Sequence, residues 1–415
     1  MTSPLGRFAG RALDALSFLL SDVRYGLGAY LGVYMLTEHG WDAETIGAVF
    51  SVGGLVGLAS QAPTGAMVDA IRAKRMLLAV AVVVATAASL AIPAMPQVLP
   101  VMAAGVVGTL AGGAIGPALA GISLGIVGPE RFARRAGRNE ALFHAGNAVV
   151  NLVILVTAPF LGTSVLFWTM GATAVASVVA VFAVPERAID HEVARGLATH
   201  AEERGLRPSA WSTLLSSRPL LTFAGCGALF HLANASMLGL VAQKLALDNV
   251  GQGIALTAAS AIAAQVVMAP TAALAGARAD AWGRKPLLLA AFLALMVRGA
   301  LYTLSDSPAW LIGVQLLDGV GAGLIGALYP VVIADLTRGS GHFNAAQGAV
   351  GTVHAIGGIV SGVLAGVIVV RFGYNAAFLT LAAVAGVGAA LFWLMMPETR
   401  DAQSATTLAG TTPAP

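Results

Sequence analysis

Gly276-Ala277-Arg278-Ala279-Asp280-Ala281-Trp282-Gly283-Arg284-Lys285 is the stretch on which the reading of this chain turns, because the chain spells it twice. Roughly 210 residues earlier stands Gly65-Ala66-Met67-Val68-Asp69-Ala70-Ile71-Arg72-Ala73-Lys74-Arg75, with the same glycine, the same acid and a closing basic pair of its own. A repeat at that period inside an apolar chain is the mark of a duplicated bundle. In membrane proteins such duplication places a site at the midplane between two related halves.

The rest of the composition agrees. Hydrophobic residues make up 57% of the 415 and charged residues 10%, against about a quarter charged in ordinary soluble domains. Mean hydropathy is +0.82, so lipid is the main solvent. Cys226 is the only cysteine, which excludes an intramolecular disulfide and any multi-cysteine metal centre. The start of the chain lacks the short apolar segment and small-residue cleavage site of a removable leader, since Arg7, Arg11 and Asp14 lead straight into a long apolar run.

A crossing needs about 20 apolar residues. The runs at 12–36, 45–68, 75–97, 100–127, 139–158, 163–184, 219–245, 252–277, 286–305, 308–335, 343–370 and 373–396 predict twelve. Lipid leaves backbone groups no outside partner, so they are helices, and the lack of alternation excludes a barrel. The expected fold class is an all-α membrane protein of twelve transmembrane helices in two pseudo-symmetric six-helix bundles. Its expected domains are bundles over 1–184 and 219–400, a cytoplasmic linker over 185–218 in which Trp211 and Leu214 meet the membrane face, and a disordered tail over 401–415 rich in Ala, Thr and Pro.

Lysine and arginine set the orientation. With both termini cytoplasmic, the inner loops hold Arg72, Lys74, Arg75, Arg131, Arg134, Arg135, Arg138, Arg278, Arg284, Lys285 and Arg338, while the outer loops hold only Lys244 and Arg371. Further pairings follow the repeat. Pro185-Glu186-Arg187 matches Pro397-Glu398-Thr399-Arg400, and Phe143-His144-Ala145 matches Val353-His354-Ala355. Glycines four apart (Gly53 and Gly57, Gly112 and Gly116, Gly319 and Gly323, Gly358 and Gly362) predict close helix contacts.

These motifs resemble the major facilitator superfamily across about 1–400. The loop signature G-x-x-x-D-x-x-G-R-K is met fully at Gly276–Lys285, whereas the first copy carries Arg72 and Ala73 at its second glycine and its arginine. The Pro-Glu-Thr-Arg ending and the run Gln315, Gly319, Gly321, Gly323 are similar to family patterns. Gly105 stands where the family's fourth helix carries an arginine. Gly116, Pro117 and Gly121 resemble the drug-exporter antiport signature but fall in the fourth helix rather than the fifth. The resemblance implies a midplane site lined by helices one, four, seven and ten, rocking between inward- and outward-open states, and a bacterial inner-membrane location.

Candidate residues fall into two sets. Gly65, Asp69, Lys74, Arg75, Glu140, Gly276, Asp280, Gly283, Arg284 and Lys285 are expected at a cytoplasmic gate, where an acid caps a neighbouring helix N-terminus or pairs with arginine; the bland alternative is that they only fix topology. Asp22, Arg24, His144, Asn147, Asn151, His231, Asn234, Asp318 and His354 are expected near the cavity, because polar groups in a membrane face protein or water. Asp22 leads for proton coupling. Asp22 and Arg24, two apart, point to different helix faces and are poor mutual partners. Glu140, His144, Asn147 and Asn151 form one helix face. Arg298 and Asp318, near mid-depth on adjacent spans, suggest a structural ion pair.

Convergence of His144, His231, His354 and Asp22 on a divalent cation is a minority reading, since no short ligand spacing supports it. No phosphate-binding loop or nucleophile motif is present. The chain is therefore expected to be a proton-coupled transporter and not an enzyme, exporting a small organic solute, with no cofactor, no metal and no nucleic-acid partner, acting as a monomer in the bilayer. Import of an organic anion with protons is the alternative, and a non-transporting receptor or scaffold a third.

Overall fold

A computed structural model describes residues 4–25, 27–41, 43–197, 210–248 and 253–400. The tail expected to be disordered and residues 198–209 of the linker lie outside the described residues. Among those described, the chain is helical and without strands. The helices are α1 Pro4–Tyr25, α2 Gly28–His39, α3 Ala43–Ala70, α4 Lys74–Ala91, α5 Val98–Gly112, α6 Ile115–Val127, α7 Pro129–Leu161, α8 Ser164–Ala183, α9 Ala210–Ser216, α10 Arg218–Asn234, α11 Met237–Asp248, α12 Gly253–Trp282, α13 Arg284–Leu301, α14 Pro308–Leu336 and α15 Phe343–Met395.

Eight helical stretches among the described residues are long and apolar enough to cross a membrane. α13 misses that criterion because Arg284, Lys285 and Arg298 fall within its 18 residues. Three predicted crossings are each two helices. The first breaks between α1 and α2, the fourth at Gly113–Ala114 and the seventh at Ala235–Ser236. All three breaks lie near mid-span, where irregular backbone survives only if protein or a water-filled space satisfies it. At the third, the Ser236 N–H donates to Ser361 Oγ at 3.2 Å. The last two crossings run as one helix interrupted at Gly373, whose φ is 82°.

The chain divides into two compact units that do not follow the halves of the sequence. Unit 1 holds residues 1–128, 142–217 and 337–356, and unit 2 holds 129–141, 218–336 and 357–415. Each unit includes a short helix end from the other half. The 211-residue register shows why they fit. In unit 1 a Cβ at Gly65 would stand 2.1 Å from the Asn344 carbonyl oxygen, and in unit 2 a Cβ at Gly276 would stand 2.7 Å from that of Ala133. Only a hydrogen at those positions lets the backbones touch.

The glycine pairs divide. Gly319 and Gly323 lay α14 on α12, where added Cβ atoms would come within 2.5 Å of Ala264 O and 2.9 Å of Met268 O. Gly112 and Gly362 have open space instead. The predicted linker 185–218 also divides. Its first part is short 3₁₀ turns at Glu186–Ala188 and Val193–Arg195 docked in unit 1, with Asp190 N–H donating to Gly125 O at 3.1 Å. Its end is the surface helix α9, in which Trp211 is exposed and Leu214 buried.

Candidate functional site

The loop motif is built at the end of α3. Asp69, 5% exposed, accepts hydrogen bonds from the Asn344 N–H (3.2 Å), the Ala345 N–H (2.7 Å) and Asn344 Nδ2 (2.8 Å). Asn344 and Ala345 lie in the first turn of α15, whose amides have no partner within the helix, so the carboxylate caps it. Burial outweighs these donors and the nearby Lys74 charge, and pushes the Asp69 carboxyl up to about 6. Lys74, fully buried, donates to Val68 O (2.5 Å) and Ile71 O (3.1 Å) and so closes the C-terminus of α3. Arg75 binds Glu186 and the Val184 carbonyl.

The second copy is wired differently. Asp280 is half-exposed and pairs with Arg284 Nη1 at 2.7 Å, while Arg284 Nε reaches Asp335 at 3.0 Å. Arg284 Nη1 also donates to Ala279 O at 3.1 Å. Gly283, at φ 90°, turns the chain into α13. Glu398 then caps α13, accepting from the Arg284 N–H (2.9 Å) and the Lys285 N–H (3.1 Å). Arg400 covers the Asp280 and Ala281 carbonyls at 3.2 and 2.9 Å. Glu140, on the segment of α7 within unit 2, lies against Gly326 of α14.

The mid-depth candidates of unit 1 form three contacts. Thr173 on α8 donates to Asp22 Oδ2 at 2.9 Å. Arg24 is exposed, stands 4.8 Å over the Phe143 ring, and lies 3.9 Å from where a Cβ at Gly116 would be. The Tyr30 hydroxyl donates to Asn151 Oδ1 at 2.6 Å, and Asn151 Nδ2 donates to Asn147 Oδ1 at 2.8 Å. His144 and His354 are both buried in unit 1.

His231, Asn234 and Asp318 belong to unit 2. Asp318 is paired with Arg298, which is 1% exposed. Gln315 Nε2 holds the second Asp318 oxygen at 3.0 Å, and Tyr302 donates to Gln315. That network is a buried ion pair with its own hydrogen-bonding shell. Among the described residues no group of three or more metal-type side chains comes together.

Sequence reading missed Thr173, Tyr30 and Phe143 as neighbours of the charged pair, Asn344 as the partner of Asp69, and Glu398 as the cap of α13. A signal existed for two of them. Asn344 follows Ala133 by the repeat period, and Glu398 belongs to a motif already noted.

A many-helix membrane bundle with paired loop motifs, three crossings broken at mid-span and polar residues at mid-depth defines a multi-pass membrane transporter. The sequence profile of the Major Facilitator Superfamily matches residues 13–268 and 226–415. The chain is 48% identical over 391 residues, 94% of each chain, to uncharacterized MFS-type transporters from two strains of Mycobacterium tuberculosis, CDC 1551 / Oshkosh and ATCC 25618 / H37Rv. It belongs to the Major Facilitator Superfamily, whose members carry small molecules and are not enzymes. The fold matches that of the proton:xylose symporter XylE bound to 6-bromo-6-deoxy-D-glucose, with a TM-score of 0.70 at 12% identity over 97% of this chain and 98% of that one.

Proposed function

We propose that this protein is a proton-coupled secondary transporter of the bacterial inner membrane, with both termini cytoplasmic, that exports a small organic solute by alternating access between bundles 1–184 and 219–400. The observation that carries the coupling is Asp22, an acid at mid-depth of a broken helix whose hydrogen bond comes from a neutral hydroxyl, Thr173. An intramembrane carboxyl group held by a hydroxyl rather than by a cation is suited to taking and releasing a proton. His144 and His354 are secondary candidates for the relay.

The gate is the Asp69 cap on α15. Holding α15 against α3 keeps the cytoplasmic side shut, and releasing it opens that side. The Asp280–Arg284–Asp335 cluster and Glu398 brace the second half, with Glu140 against α14.

A second reading is favoured by Arg24, an exposed cation at the same depth: symport of an organic anion with protons. Inverted vesicles carrying a fluorescent pH reporter decide between the two. They are given an outward-directed or inward-directed gradient of each compound in a panel of amines, neutral solutes and carboxylates. Counter-movement of protons supports export, co-movement supports the anion symporter, and absence of proton movement with measurable solute flux removes proton coupling.

A further inference from the structure

We infer that Arg131 and Arg134, in the first two turns of α7, form a docking site for the phosphate of an anionic phospholipid in the leaflet that α7 enters first. The site is independent of what the protein carries. In the orientation proposed above, that leaflet is the cytoplasmic one.

Several basic residues around the loop motifs are answered within the protein. Arg72 pairs with Glu192 at 3.4 Å, Arg75 with Glu186, Lys74 with two carbonyls and Arg284 with Asp280 and Asp335. Arg131 and Arg134 are not. Both are exposed, and among the described residues neither makes a hydrogen bond, an ion pair or a ring contact. Glu130, the nearest acid in the chain, is exposed and pairs with neither. Arginines three positions apart stand on one helix face, about 4.5 Å apart along the axis. Two like charges so placed repel, and an anion that both can reach relieves the repulsion.

The rest of that face identifies the anion. Past Arg138 it is apolar, running through Leu142, Ala145, Val149, Leu152 and Val156 at spacings of three and four. The last three of these are exposed. The helix is long and apolar enough to cross a membrane from Pro129 to Ala158. An exposed apolar face on a crossing meets acyl chains, so two guanidiniums at its start lie at the level of the headgroups. Their aliphatic stems lie on apolar surface while the charged ends stay in the polar layer. Arginine holds a phosphate through two parallel N–H donors, and basic residues at this level draw anionic headgroups. A soluble acidic partner would match the charges but not the apolar face that continues them. Arg134 is also one turn from Gly137, which meets Gly276 of α12 within unit 2. A lipid held there anchors the start of α7 beside that crossing.

The experiment reads the lipid next to this face. The native thiol, Cys226, is buried and is removed as Cys226→Ala. Leu142→Cys, one turn past Arg138, carries a bimane fluorophore. The protein is reconstituted in phosphatidylcholine vesicles holding a small, equal fraction of phosphatidylglycerol or phosphatidylcholine with a nitroxide high on the acyl chain. The ratio of quenching by the two gives the relative association constant at the site. Phosphatidylglycerol is expected to be favoured. Arg131→Gln with Arg134→Gln is expected to lower the ratio by roughly fivefold for each arginine removed. Arg131→Lys with Arg134→Lys keeps both charges and should keep most of the preference, and high salt should weaken it.

Equal quenching by the two lipids with both arginines present overturns the inference. So does a preference that survives the double exchange to glutamine. A preference that emerges only when Glu202→Gln and Glu203→Gln are added makes the chain's own linker the occupant and also overturns it. If the double variant is not monodisperse, Arg131→Gln and Arg134→Gln singly carry the same test. If Leu142→Cys does not label, Ala145→Cys on the same face takes its place.

Discussion

Acidifying the cytoplasmic side should hold the gate shut, and Asp69 is the group that should make it so. Its carboxyl titrates near 6 while it caps α15 and near 3.9, the ordinary value, once opening exposes it. The closed form therefore binds the proton more tightly. Its protonated support is complete at low pH and is lost as pH rises through about 6. Between pH 7.5 and pH 5 the closed form gains about 1.4 kcal/mol, or roughly tenfold in the gating equilibrium. Ala349 on α15 is fully buried in unit 1. A thiol placed there (Ala349→Cys with Cys226→Ala) reports opening through its labelling by N-ethylmaleimide. Thiol chemistry itself depends on pH, so each rate is divided by that of the same thiol in protein that also carries Asp69→Asn. This ratio is expected to fall roughly tenfold on acidification. A flat ratio, or one that rises, refutes the assignment of Asp69 as the titrating latch.

Three further outcomes follow from the geometry. Asp22→Asn should abolish gradient-driven accumulation in vesicles but leave solute exchange intact; an unchanged pH dependence of transport in that variant removes Asp22 from the coupling. Arg298→Met should destabilise the protein by about 3–5 kcal/mol because it strands the Asp318 carboxylate, while Arg298→Met with Asp318→Leu should recover most of the loss; thermal unfolding in detergent reads both, and equal melting of single and double variants contradicts the enclosed ion pair. Glu398→Ala should cost about 0.5–2 kcal/mol as a lost helix cap, with Glu398→Gln retaining part of it, and a melting temperature unchanged in both variants would dissolve the role of Glu398 as cap of α13.

The bundle was legible because lipid imposes a length and a polarity on every crossing. What the sequence concealed is where crossings bend. Hydropathy averages over a window and cannot see that Gly113–Ala114 or Ala235–Ser236 interrupts a helix. Pairing was concealed for a different reason. Asp22 and Arg24 read as neighbours in the chain, but successive helix positions diverge, and each finds its contact on another helix, Thr173 for one and Phe143 for the other. Arg298 with Asp318 was readable because two opposite charges at equal depth on adjacent crossings have few other ways to offset their desolvation. Asp69 and Asn344 stand 275 residues apart and two of the three donors are backbone amides, so only the repeat register hinted at the pair.

The two loop motifs share a spelling and differ in their contacts, and the register explains why. Asp69 and Asp280 are repeat-equivalent, as are Asn344 and Ala133. α15 begins at Phe343, so Asn344 and Ala345 offer unused amides to Asp69. α7 begins at Pro129, three residues early in the same register. Ala133 is then its fifth residue, and its N–H is already committed to the helix. Asp280 has no cap to make in the equivalent place and turns to Arg284. The apparent defect of the first copy resolves in the same way. Ala73 stands where the second copy has Arg284, whose guanidinium closes α12 through Ala279 O. In the first copy Lys74 reaches Val68 O, the equivalent carbonyl. The capping of the helix C-terminus is thus kept by a shift of one residue, and of the two acids the first is the buried one. On the gating reading proposed above, the duplicated motif is divided between a brace and a releasable contact.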